Sequence, residues 1–214
     1  NNTGDQPLVA QIGTFKPESP IIAGPFLFPN HLNDTFDVAI QTEDLKLTLI
    51  SDTGEAYWTK ELDSEILGDI NHVDAYKNGR NQLLFSTSKK VYLLDRDGND
   101  VDKFPFTSKK EITQPLSIFD YDNSRNYRLV VTTGNDLKML DSKGNSINGF
   151  TYKSDGKILN SPQHFRKGNK DYIAFTADKK ELKLLHRTGN TRTNVKTKIE
   201  ARSPLYFNNN LIVY

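Results

Sequence analysis

Apolar residues come in short runs broken by polar turns, and four of these runs follow one plan: an apolar strand, a glycine-centred turn and a polar continuation. They cover residues 47–55, 91–99, 137–145 and 182–190, and their glycines, Gly54, Gly98, Gly144 and Gly189, step by 44, 46 and 45 residues. One turn at such a spacing would mean little. Four of them, each behind the same kind of strand, define an internal repeat.

A second β run precedes each one, at 36–41, 82–86, 127–132 and 171–176. The residues between the paired runs are polar, so each pair is expected to be a hairpin. Further upstream in each unit lies a strand at 25–28, 72–76, 116–121 or 163–166. Downstream segments such as Tyr57-Trp58-Thr59 and Phe104-Pro105-Phe106 supply the last strand. The expected fold class is therefore all-β, with four main four-stranded units near 21–66, 67–111, 112–158 and 159–201 and a partial fifth over 202–214. No segment has the length or periodicity of the helix that a parallel crossover needs.

A four-stranded unit of this size cannot bury both faces alone, so neighbours must stack sheet on sheet, around an axis as a β-propeller or along an open solenoid. In the propeller arrangement the upstream strand is innermost and the polar downstream strand forms the rim. The C-terminal Leu205-Tyr206-Phe207 and Leu211-Ile212-Val213-Tyr214 repeat only the first two strands. The run Pro7-Leu8-Val9-Ala10-Gln11-Ile12 is placed to add an outer strand and close a single domain over 1–214. The other reading is a fragment of a larger propeller with edges to cover. The start, Asn1-Asn2-Thr3-Gly4-Asp5, carries neither Met nor a signal-peptide pattern, as expected of a chain beginning after processing or at the boundary of an expressed segment.

Composition narrows the function classes only modestly. With 28 Lys plus Arg against 27 Asp plus Glu, the net charge of +1 provides no global field for nucleic acid or an anionic membrane, and nucleic acid is not an expected partner. Without cysteine there is neither a disulfide nor a thiolate metal site, and no apolar run is long enough for a membrane helix.

The hairpin turns carry Asp95, Gly98 and Asn99 in one unit and Asp141, Gly144 and Asn145 in the next, with Ser51 and His186 at the leading position in the outer two. This pattern resembles the quinoprotein-like and WD40-like β-propeller superfamily, especially bacterial exported propellers with an Asp-x-x-Gly-Asn hairpin, and the resemblance spans residues 21–214. It implies a propeller and a periplasmic, extracellular or envelope-associated location. It does not assign an activity, because propellers host enzymes, receptors and scaffolds. Asp120-Tyr121-Asp122-Asn123-Ser124-Arg125-Asn126 is similar to a degenerate integrin-type calcium loop, yet it lacks the central glycine and the further carboxylates of that loop. A turn stabilised by its own side chains is the expected role.

The four histidines, His31, His72, His164 and His186, form no short metal-ligand motif, and the hairpin glycines follow strands without opening helices, so neither a metal nor a nucleotide cofactor is expected. The expected function is a non-catalytic protein-binding, ligand-binding or assembly module. A propeller hydrolase or lyase with a central-face active site is the alternative. Any ligand site is expected to draw from several inner strands, through Asp74, Tyr76, Asp120, Tyr121, His164 and Arg166, and to leave the hairpin tip at 95–99 uninvolved.

Overall fold

The computed structural model describes residues 11–178, 181–199, 205–208 and 211–213. Two compact units divide the chain, residues 1–62 and 63–214. Every sheet is antiparallel and joins its strands in sequence order, and the described residues form no α-helix. No helix among them is long and apolar enough to cross a membrane.

The first unit holds one four-stranded sheet, β1 (Ile21–Asn30), β2 (Thr35–Thr42), β3 (Lys46–Ile50) and β4 (Ala56–Glu61). Its central pairs, Ala39 with Leu49 and Gln41 with Leu47, are all buried. Thr48 and Thr59 share a cross-strand hydroxyl hydrogen bond of 3.0 Å. Leu27 and Phe36 remain about half exposed. The expected strand at 7–12 falls for the most part outside the described residues, and Gln11 and Ile12 are not in a strand.

The second unit holds three four-stranded sheets. The first consists of β5 (Asn71–Val73), β6 (Gln82–Ser86), β7 (Lys90–Leu94) and β8 (Phe106–Thr107). The next is β9 (Ser117–Phe119), β10 (Arg128–Thr133), β11 (Asp136–Asp141) and β12 (Tyr152–Lys153). The last is β13 (Gln163–Lys167), β14 (Lys170–Ala177), β15 (Glu181–Leu185) and β16 (Thr191–Lys198). The hairpin β17 (Tyr206–Asn208) and β18 (Leu211–Val213) follows.

Strand alternation explains how these sheets stack. On β10, Leu129 and Val131 face a cluster with Leu84, Val91 and Leu93 of the preceding sheet, while Val130 faces Ile173 and Phe175 of the following one. On β14, Ile173, Phe175 and Ala177 face backward and Ala174 faces Leu205 and Phe207. Both faces of each middle sheet are therefore buried, which is why their central strands are continuous apolar runs with no polar alternation. Each such side chain removed from water contributes about 1.5–3 kcal/mol.

The hairpin tips have the geometry their sequence demands. Asp95 Oδ1 accepts hydrogen bonds from the amides of Asp97 and Asn99, both at 2.9 Å, and Gly98 turns at φ 81°. Asp141 repeats this with Lys143 and Asn145 at 2.9 and 2.8 Å. Three expected strands come out shorter than their sequence suggested. The inner strands end at Val73 and Phe119, so Asp74, Tyr76, Asp120 and Tyr121 lie in the loops beyond them. Phe104 is buried in the core and only Phe106 enters β8.

Candidate functional site

The first strand of each sheet in the second unit pairs with one neighbour only, leaving its other edge free to line a concavity. Asn71 pairs with Leu84, Ser117 with Val130 and Gln163 with Ala174. The three residues occupy equivalent positions 46 residues apart. They line one concavity of about 240 Å³ together with Asp120, Pro162 and His164. Ser117 shares its strand face with Phe119, which packs against the following sheet. The Ser117 hydroxyl is buried and has no hydrogen-bond partner. Asn71 donates from Nδ2 to the Asp69 carbonyl at 3.3 Å.

Two loops with the same construction follow the inner strands β5 and β9, and Asp120 of the second lines the concavity. Asp74 accepts hydrogen bonds from the amides of Asn78 at 3.0 Å and Gly79 at 2.8 Å. Asp120 accepts from those of Ser124 at 3.0 Å and Arg125 at 2.8 Å. In each loop an aspartate just past the inner strand bonds amides four and five residues on and bends the chain away. Both Asp120 oxygens thus face N–H donors, a turn-forming arrangement. Among the described residues there is no group of three or more His, Cys, Asp or Glu side chains placed to hold a metal ion.

The 120–126 loop also joins all three sheets of the unit. Toward the preceding sheet, Arg125 Nη1 reaches Asp74 Oδ2 at 2.5 Å and Lys77 Nζ donates to Asn126 Oδ1 at 2.8 Å. Toward the following sheet, Asp122 meets Arg187 at 3.0 Å and Arg166 at 3.6 Å. Asp171, buried at the start of β14, lies 2.9 Å from His164 Nε2 and 2.5 Å from Arg187 Nε. Arg187 also stacks over the Tyr121 ring at 4.2 Å, and that ring meets His164 edge-on at 4.7 Å.

These contacts shift the titration of their members. Burial works to raise the Asp74 carboxyl, but the Gly79 and Asn78 amides and the Arg125 charge hold it below the usual carboxylate value. At Asp171 burial is likewise outweighed, by His164, Arg187 and Arg166. Burial, the largest influence, pushes the Tyr121 phenol up to about 12.

Of the six residues expected to form a site, Asp120 and His164 line the concavity. Tyr121, His164 and Arg166 meet in the network around Asp122 and Asp171, where Arg166 donates to the Tyr121 carbonyl at 3.4 Å. Asp74 is buried beneath Arg125, and Tyr76 is half exposed in the loop beyond it. Sequence reasoning missed Asn71, Ser117 and Gln163, as well as Arg125, Asp171 and Arg187. Their recurrence at one position per repeat was the available signal for the first three. The arginines' links to other sheets carried none, because Asp74 and Asp122 lie 51 and 65 residues from Arg125 and Arg187.

Sequential four-stranded antiparallel sheets stacked face to face, each with a short inner strand, define a β-propeller blade pattern. The chain is all-β, with the fold of a β-propeller or propeller fragment, and its described residues form four four-stranded blades and a two-stranded partial one. No family model and no curated protein matches the sequence. Among solved structures, it is similar to BamB from Moraxella catarrhalis, with 16% identity, a TM-score of 0.56, and 81% of this chain and 49% of that one covered. BBS1N in complex with ARL6DN is similar at 16% identity and a TM-score of 0.60, covering 91% of this chain and 64% of that one. The Pan2 WD40 domain of Neurospora crassa matches at 14% identity and a TM-score of 0.50, covering 83% and 50%. The chain spans less than two thirds of the length of each, and at these identities the likeness is one of fold.

Proposed function

We propose that this chain is a non-catalytic binding or assembly module whose ligand-contact surface is the concavity between the inner strands of its second unit. The observation that carries the reading is that Asn71, Ser117 and Gln163, at equivalent positions of three repeats, line one concavity. Asp120 and His164 line the surface, and Tyr121 and Arg166 lie in the network around His164. The BBS1N likeness, a propeller captured in complex with ARL6DN, supports the assembly side of the proposal. The hairpin resemblance adds an exported or envelope-associated location, which fractionation of the native source would check.

A thermal-shift panel of small polar compounds tests the site. Ligands that stabilise the wild type are expected to lose that effect in Asn71→Ala, Ser117→Ala and Gln163→Ala alike. A ligand whose effect survives all three substitutions, or disappears on altering Asp95 or Asn99, contradicts the proposed surface.

A further inference from the structure

Asparagine followed by glycine is the pair most prone to lose its side-chain amide, because no Cβ hinders the glycine nitrogen from reaching the asparagine side chain. The chain has two such pairs, Asn78-Gly79 and Asn148-Gly149. The fold treats them differently. Asp74 disarms the first: Oδ2 accepts the Gly79 amide at 2.8 Å, which is the nitrogen that would attack, and Asn78 Oδ1 accepts the Arg80 amide at 3.0 Å. Asp120 does the same in the equivalent loop, taking the Ser124 amide at 3.0 Å next to Asn123.

Asn148-Gly149 has no such guard. Both residues are exposed, and among the described residues the Gly149 amide makes no hydrogen bond. A Cβ on Gly149 would meet nothing within 4 Å, so the turn has room to rotate. The preceding sheet provides the contrast. There Asp102 occupies the position 46 residues before Asn148, and its turn is closed by the Phe104 amide donating to the Val101 carbonyl at 3.0 Å. The corresponding bond from Phe150 to Ile147 is not formed. A carboxylate at this repeat position also suits the fold, since exposed Asp102 stands two residues before buried Phe104, as Asn148 stands before buried Phe150.

We propose that Asn148 is a site of spontaneous deamidation, and that the aspartate-closed loops at 74–79 and 120–124 shield the competing asparagines of the same chain. The Gly149 nitrogen gives up its proton and bonds to Asn148 Cγ, while the bond from Cγ to Nδ2 breaks and Nδ2 leaves as ammonia with that proton. Water then opens the cyclic imide at either carbonyl. One opening leaves an aspartate at position 148, and the other leaves an isoaspartyl link in which the main chain runs through Cβ and Cγ. One water enters, one ammonia leaves, and nothing is oxidised or reduced. The new carboxylate takes the formal net charge from +1 to zero. The isoaspartyl product lengthens the chain between Ile147, whose amide donates to the Met139 carbonyl at 2.9 Å, and buried Phe150, so it loosens the attachment of β12.

The test is incubation of the full chain in mildly alkaline buffer, native and in denaturing urea, with peptide mapping by mass spectrometry at intervals. In urea the two Asn-Gly pairs are expected to deamidate at similar rates, because only local sequence acts there. In the native protein Asn148 is expected to react at least about tenfold faster than Asn78, the factor by which a charge-assisted hydrogen bond on the attacking amide holds it back. Asn123 is expected to fall by a similar factor below its own rate in urea. Asn148→Gln should abolish the acidic charge variant that accumulates in the native protein. Asp74→Asn should raise the rate at Asn78 about tenfold and leave Asn148 unchanged, with hydrogen-exchange protection in β10 showing that the variant is folded. If that variant does not fold, the comparison of native and urea rates decides alone. Equal native rates at Asn78 and Asn148, or a native Asn148 rate far below its rate in urea, overturn the site. An Asn78 rate unmoved in folded Asp74→Asn overturns the shielding.

Discussion

Replacing Asp74 with Asn tests whether the loop that ends an inner strand is held by its carboxylate. Asp74 is buried, its two oxygens accept the Asn78 and Gly79 amides, and Oδ2 also takes Arg125. In Asp74→Asn one oxygen survives, while the other position becomes an NH2 group facing N–H donors. Charge-assisted hydrogen bonds contribute about 1.5–3 kcal/mol each. The Arg125 side chain is 51% exposed, so the ion pair adds only about 0–1 kcal/mol. The expected destabilisation of the 63–214 unit is about 2–4 kcal/mol at neutral pH. Native-state hydrogen exchange of globally protected amides in β6 and β10 should accelerate by about 30- to 1,000-fold. Arg125→Ala, which leaves both amide bonds, should cost about 1 kcal/mol or less. The Asp74 carboxyl is held below its unfolded value, so its contribution is present above pH ~4 and is lost as pH falls through the folded value. The gap between wild type and variant should therefore close in acid. A variant within about 0.5 kcal/mol of wild type at pH 7, or a gap that widens on acidification, refutes the reasoning.

Two further substitutions probe other parts of the scaffold. Gly189→Ala should destabilise by more than about 1 kcal/mol in chemical denaturation, because a Cβ there would sit 2.3 Å from the Thr151 carbonyl oxygen at φ 89°, whereas Gly134→Ala, at φ 68° with nothing within 4 Å, should cost less. Tyr92→Phe deletes a 2.8 Å hydrogen bond to Asp63, which Thr87 also supports, and should lower stability by about 1 kcal/mol without altering ligand binding.

The repeat, the hairpins and the stacked sheets were legible because each rests on local chemistry. A glycine at positive φ after Asp-x-x, and apolar runs too continuous for a half-exposed strand, are written into short stretches of chain. The inner-strand ends were harder to read, since Asp74 and Asp120 stop their strands through bonds to amides four and five residues ahead that carry no hydrophobic signature. Asp120 and Tyr121 were placed on a strand for that reason. The candidate site was legible only in part. His164 and Asp120 stood out as chemistry-bearing residues, while Ser117 and Gln163 looked like ordinary strand polars until packing buried one of them without a partner. The Arg125 to Asp74 and Arg187 to Asp122 links depend on how sheets stack, which sequence spacing does not encode.

The central claim is that three inner strands, distant in sequence, present one binding surface. Amide chemical-shift mapping of the 24.3 kDa chain during titration with the compound that stabilises it most in the thermal-shift panel addresses it most directly. The account predicts saturable shifts together at Asn71, Ser117 and Gln163, extending to Asp120 and His164, with the 95–99 hairpin tip unmoved. Shifts confined to one repeat, or centred on the hairpin tips, would contradict it.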